Sequence, residues 1–212
     1  PLKQSILDRA AKEKLVSYQA INLRDFATDK HKTTDSRPFG GGAGMVMRVE
    51  PIFQALKSQG LLGENGERKT ATNRDTTKVV LTSAKGKLFT QDVARDWKGY
   101  ESVIFICGHY EGVDERVAEH LVDEEVRIGD FVLTGGETAS LAMAEAVVRL
   151  LPGVVGNEES LQGESHDKAG VLGYPQYTRP DSFNNWAVPE VLKQGHHQEI
   201  ENWRERHRQN DT

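Results

Sequence analysis

Residues 106–117 read ICGHYEGVDERV. The run SVIFIC (102–107) is strand-forming and ends at Cys107–Gly108. A polar turn follows, in which His109, Tyr110 and Glu111 stand between Gly108 and Gly112. A helical pattern, VDERVAEHLVD, then begins. Strand, glycine turn and helix in that order is the unit from which α/β domains are built.

The same unit recurs on either side. KVVLTS (78–83) and VRIGDFVLT (126–134, interrupted by Gly129) are further strand candidates. KVVLTS and SVIFIC are short, nearly continuous apolar runs, as in a parallel sheet covered on both faces. Helical segments, LFTQDVARDWKG and VDERVAEHLVD, separate the three runs. After Gly135–Gly136 comes ETASLAMAEAVVRLL (137–151), with Leu141, Ala144, Val148 and Leu151 as an apolar stripe. Upstream, residues 2–15 carry a helical pattern, SYQAINLRDFA (17–27) is strand-like, and PIFQALKSQG is a helix opened by Pro51 and stopped by Gly60. The stretch 63–77 reads as a mobile loop. Pro152 closes the 137–151 helix. Residues 157–170 form an acidic linker, and from Val171 onward two helical segments, VPEVLKQG and HHQEIENWRERHRQ, make a small second unit.

Composition bounds the function. The chain has 212 residues, 37% hydrophobic and 28% charged, enough for a main domain and an appendage. No stretch reaches the ~18 apolar residues of a membrane span. The single Cys107 leaves no internal disulfide and fits a reducing, cytoplasmic setting. A net charge of −5 argues against a non-specific nucleic-acid coat. Two local basic clusters stand out: Arg24, Lys30, His31, Lys32 and Arg37, and Arg204, Arg206, His207 and Arg208. On charge alone each reads first as a solvated face.

Ligands of open α/β sheets bind beyond the carboxyl ends of the strands. Three strand exits here carry polar or glycine-rich turns: SAKG (83–86), GHYEG (108–112) and IGDFVLTGGE (128–137). Glycines admit a ligand close to backbone N–H and C=O groups, which can hold an adenosine without charged side chains. Each glycine taken singly reads first as an ordinary turn residue or helix boundary. The chain has no P-loop, no strand followed by G-x-G-x-x-G and no G-x-S-x-G elbow. His196–His197 diverge on a helix and Cys107-x-His109 has no second pair, so no metal site is expected. Spacing alone gives Arg149, Glu164 and Asp167 no role beyond a cation at a helix C-terminus and loop solvation.

Five blocks, RPFGGGAGM (37–45), ICGHYEGVDERV (106–117), IGDFVLTGGE (128–137), RLLPGVVGNE (149–158) and YPQYTRP (174–180), resemble the bacterial tRNA (guanine-N1)-methyltransferases, knotted enzymes of the SPOUT class. The likeness runs from about Leu2 to the final helix. It implies a parallel sheet with a deep trefoil knot in residues 1–156, a linker at 157–170 and a helical tRNA-binding domain at 171–212. It also implies a homodimer. The implied S-adenosylmethionine site is made by Leu81, Thr82, Ser83 and Gly86; by Gly108, Tyr110, Glu111 and Gly112; and by Ile128, Gly129, Asp130, Phe131, Val132 and Leu133, with Gly135 and Gly136 closing the loop. The implied reaction methylates N1 of the guanosine 3′-adjacent to the tRNA anticodon. Glu164 would be the general base and Arg149 would stabilise charge developing on guanine O6.

The chain departs from the family pattern in four places. The usual first strand with its L-F-P turn and the end of the C-terminal tail are missing, as expected of a truncated chain. His109 replaces an arginine of some members. Glu164 stands before Ser165 where aspartate is common, with Asp167 as the fallback base. Two other readings remain at this point: a SPOUT enzyme for another RNA site, and a non-catalytic RNA- or nucleotide-binding module.

Overall fold

The computed structural model describes residues 2, 5–63, 66–67, 76–156, 163–168 and 170–209. The chain divides into two compact units, Pro1–Val155 and Gly156–Thr212.

The first unit is built on three parallel strands, β3 (Thr77–Leu88), β4 (Ser102–Cys107) and β5 (Glu124–Arg127), in the order β4-β3-β5. Two short strands precede them, β1 (Asp35–Ser36) and β2 (Val46–Met47), paired antiparallel as a hairpin. The apolar runs of β3 and β4 are continuous because both sheet faces are covered. Val79, Leu81 and Ile106 pack on one face with Met47, Ile52, Leu56, Leu62, Val117 and Leu121. Val80 and Val126 pack on the other face with Ala94, Trp97, Ala139, Met143 and Val147. Successive residues of β3 thus point to opposite cores, as the two-residue period of a strand requires.

The helices arise where their local chemistry allows. Ser5–Lys12 tucks Leu7 and Ala10 against Val148 and Val154. Val49–Ser58 ends at Gly60, whose φ of +77° gives the left-handed stop a glycine supplies cheaply. Gln91–Trp97 starts at Thr90, whose hydroxyl accepts from the Val93 N–H. Glu115–His120 starts at Asp114, whose carboxylate accepts from the Arg116 N–H. The helix Glu137–Val148 follows β5 and the glycine pair.

Several expectations are corrected. SAKG does not end its strand. Thr82 and Lys87 both pair with Val126, so residues 83–86 are an excursion within β3, and the ladder resumes at Lys87. The third strand lies earlier than expected, at Glu124–Arg127, and Ile128–Leu133 have left the sheet. SYQAINLRDFA forms no strand; Asn22 caps a single 3-10 turn, Leu23–Phe26, and competes locally with extension. The 137–148 helix buries Ala139, Met143 and Val147 toward the sheet, and Leu141 and Ala144 are only half-buried. This helix is apolar nearly all round, so periodicity could not choose its face. Of the expected mobile loop at 63–77, residues 64–65 and 68–75 lie outside the described residues.

The second unit carries a hairpin that the sequence reading did not anticipate, β6 (Ser182–Phe183) and β7 (Trp186–Ala187). Asn184 and Asn185 turn it with φ of +50° and +63°, the left-handed pair a two-residue hairpin favours. VPEVLKQG yields only a 3-10 turn, Glu190–Leu192, and the last helix is His197–Arg206. Of the linker, residues 157–162 and 169 lie outside the described residues. Among the described residues no helix is long and apolar enough to cross a membrane.

Candidate functional site

At the carboxyl edge of the sheet, Thr82 ties two strands together. Its hydroxyl donates to the Ile106 carbonyl (3.1 Å) and accepts from the Gly108 N–H (3.4 Å). Gly108 in turn accepts from the Gly136 N–H at 2.9 Å, and His109 bridges Gly135 antiparallel. Ser140 closes the knot of bonds by donating to the Gly136 carbonyl (2.9 Å), with its oxygen 3.3 Å from Cys107 Sγ. Thr82 of β3, just before the excursion, the end of β4 and the loop after β5 therefore meet at one place, through segments 24 or more positions apart. The expected residues Thr82, Gly108, Gly135 and Gly136 all lie in this contact.

Two glycines are required here by close approach. A Cβ on Gly136 would run into Thr82 Oγ1 and stand 2.9 Å from Cys107 Cα and 3.0 Å from the Gly108 nitrogen. A Cβ on Gly86 would meet the backbone of Glu125 and Val126. Arg127 locks the same excursion by donating to the Gly86 carbonyl and pairs with Asp130 at 2.9 Å. Leu81 is buried in the core beneath the edge, so its side chain faces away from solvent. Ser83 is half-buried at the start of the excursion.

The turn Gly108–Gly112 is held from a second side by β2. Glu111 N–H donates to the Met45 carbonyl (3.0 Å), and Met47 N–H donates to the Gly112 carbonyl (2.9 Å). Tyr110 sits at φ +60°, an uncommon conformation for a bulky residue, and is 56% exposed. On the loop after β5, Phe131, Val132 and Leu133 are also exposed, while Ile128 packs against the second core cluster. Gly129 lies under the Phe131 ring. Backbone groups, bare glycines and uncovered apolar side chains together suit a flat, uncharged heterocycle with a ribose. Among the described residues no group of three or more His, Cys, Asp or Glu could hold a metal ion.

The electrostatics add features that sequence reasoning missed. His109 Nε2 lies 2.6 Å from Glu137 Oε1, so His109 has a carboxylate partner. Burial pushes the Glu137 carboxyl upward, but the His109 bond, its own N–H and the His109 charge together hold it below the usual value. Burial pushes the Cys107 thiol up and keeps it protonated. The 28-residue separation of His109 and Glu137 carried no local signal. The glycine run 40–44 was a visible signal, and its packing against Glu111 was not.

Arg149 caps the helix Glu137–Val148, with its N–H on the Glu145 carbonyl at 3.0 Å, and is half-buried. In the second unit, Glu164 is half-buried and its carbonyl accepts from Asp167 N–H at 3.2 Å. The Asp167 carboxylate accepts from the Gly163 N–H at 3.1 Å, a local tie within the segment. The basic clusters are partly neutralised. Lys32 pairs with Asp25, Arg204 with Glu201 and Arg208 with Glu205.

The family model described as tRNA (guanine-1)-methyltransferase TrmD matches residues 1–212. A tRNA (guanine-N(1)-)-methyltransferase of Ruminiclostridium cellulolyticum is 48% identical over 201 residues, 95% of this chain and 82% of the relative. The enzymes of the same name from Staphylococcus haemolyticus (46% identical, 96% of this chain and 78% of the relative) and Microcystis aeruginosa (48%, 96% and 83%) are similar. A full-length family match and nearly half-identical relatives leave one assignment: the chain belongs to the tRNA (guanine-N1)-methyltransferase family.

Proposed function

We propose that this chain, an enzyme of the tRNA (guanine-N1)-methyltransferase family, methylates N1 of the guanosine 3′-adjacent to the anticodon, using S-adenosylmethionine. The observation that carries the reading is the meeting of Thr82, the Gly108–Gly112 turn and Gly135–Gly136 at one sheet edge. Backbone N–H and C=O groups of these turns hold the adenosine, and Tyr110 and Ile128–Leu133 cover its apolar surface. S-Adenosylmethionine held by these turns would supply the electrophilic methyl group that N1 takes.

The chain's side chains handle the proton and the charge. N1 of guanine carries a proton and is a poor nucleophile until it is removed. Glu164 takes that proton as general base. Asp167, whose carboxylate accepts from the Gly163 N–H, is the fallback base. Arg149 stabilises the negative charge that reaches guanine O6. Residues 171–212 bind tRNA, whose single-stranded loops are read by stacking and base-edge contacts. The strand connections of residues 1–156 form the trefoil knot. The chain acts as a homodimer.

Incubation with methyl-labelled cofactor and unmodified tRNA, followed by mapping of the labelled nucleotide, tests the reading. Label on N1 of the guanosine after the anticodon supports it, and loss of label when that guanosine is replaced supports the position. Label elsewhere, or binding of S-adenosylhomocysteine without transfer, overturns it.

A further inference from the structure

The hairpin β1/β2 carries a nine-residue loop, 37–45, between Ser36 and Val46. Its outgoing end is fastened to the Gly108–Gly112 turn by Met45 and Met47, and Met47 also accepts from the Asp114 N–H at 3.0 Å. Gly44 lies directly against the Glu111 side chain. The crown of the loop is the opposite. Gly40, Gly41 and Gly42 take φ of +84°, +79° and +117°, with no atom near where a Cβ would stand. Beside them Phe39 is 101% exposed, so its ring meets nothing in the fold. Folding gains nothing from a phenyl group in water. Lys30, His31 and Arg37, in the segment leading into this loop, are also exposed.

We propose that Phe39 is a stacking platform for an unpaired base of the substrate RNA. The inference rests on the tRNA reading above and names a residue that meets the RNA. Unpaired RNA bases splay out and stack on aromatic rings, while nearby cations meet the phosphates. Phe39 stands six positions before Met45, a reach of at most about 22 Å from the Glu111 turn. The glycine crown lets the ring turn to meet a base without losing any packing, and the fastened end keeps it beside the site.

The test compares wild type, Phe39→Ala, Phe39→Leu and Phe39→Tyr on full-length unmodified tRNA, with a parallel tRNA carrying 2-aminopurine in the anticodon loop. Wild type must first methylate N1 of guanine; if it does not, the activity reading fails and not this one. With that met, Phe39→Ala and Phe39→Leu should raise the KM for tRNA roughly 5- to 100-fold, the effect of one lost base stack. Affinity for S-adenosylhomocysteine and kcat at saturating tRNA should hold. Phe39→Tyr should restore KM, and quenching of the 2-aminopurine should vanish in the alanine and leucine variants. An unchanged KM, full rescue by leucine, or a change in sedimentation that shows Phe39 buried between protein copies would each overturn the proposal.

Discussion

The two units are held together in different ways. The first buries both faces of its sheet, so the strand ends arrive in fixed register and the Thr82–Gly108–Gly136 bonds follow. The second, among its described residues, buries one large hydrophobic side chain, Trp203. Its ring stacks on His207 at 4.0 Å and meets Tyr177 edge-on, while Arg204 and Arg208 lie over Tyr174. Phe183 and Trp186 of its hairpin remain exposed, 65% and 70%. On the proposed reading, the difference would suit a small cofactor that needs a backbone cradle built in advance and an RNA that needs side chains left uncovered.

Four experiments press on that contrast. The largest effect is expected of Trp203→Ala, about 3–5 kcal/mol for deleting a buried aromatic. Limited proteolysis should then cut within residues 156–212 while S-adenosylhomocysteine binding persists. Equal loss of both would show that the units do not stand apart. Glu164→Gln should slow single-turnover methylation by ~10²-fold or more with cofactor affinity unchanged; an unaltered rate would send the role of base to another group.

Gly136→Ala should cost about 1–3 kcal/mol, since backbone must shift to admit the new methyl, and should weaken S-adenosylhomocysteine in calorimetry. Wild-type affinity would mean the strand-end contact is not the cradle. The smallest effect belongs to Glu137→Gln. Both partners of the His109 pair are largely exposed, so about 0.2–1 kcal/mol is at stake. The Glu137 carboxyl is held below its ordinary value, so its contribution is present at neutral pH and is lost as the pH falls through that lowered value. Melting temperatures of wild type and variant should differ while the Glu137 carboxylate is ionised and converge once acid has protonated it. A constant gap across that titration would exclude the ion pair as the cause.

Much of the architecture could be read residue by residue. Gly60 announces a helix stop, and the apolar density of 78–82 and 102–107 announces covered parallel strands. These features depend on neighbours a few positions away, so local propensity and period suffice. Misreadings occurred where distant segments decided the outcome. The Ser83–Gly86 excursion looked like a turn, because nothing near it reveals that Lys87 rejoins the ladder opposite Val126. Ile128–Leu133 looked like strand, because β-forming residues there serve an exposed loop.

Thus alternation of strands and helices, the glycine turns and the family blocks were legible in the chain as written. That Thr82 hydroxyl, Gly108 and Gly136 share bonds, that His109 faces Glu137, and that the 37–45 loop leans on Glu111 came only with folding. Those contacts join residues 26 to 67 positions apart, and no short-range preference encodes them. They exist because two hydrophobic cores clamp the sheet from either side and leave the strand ends one arrangement in which their polar backbone groups are satisfied.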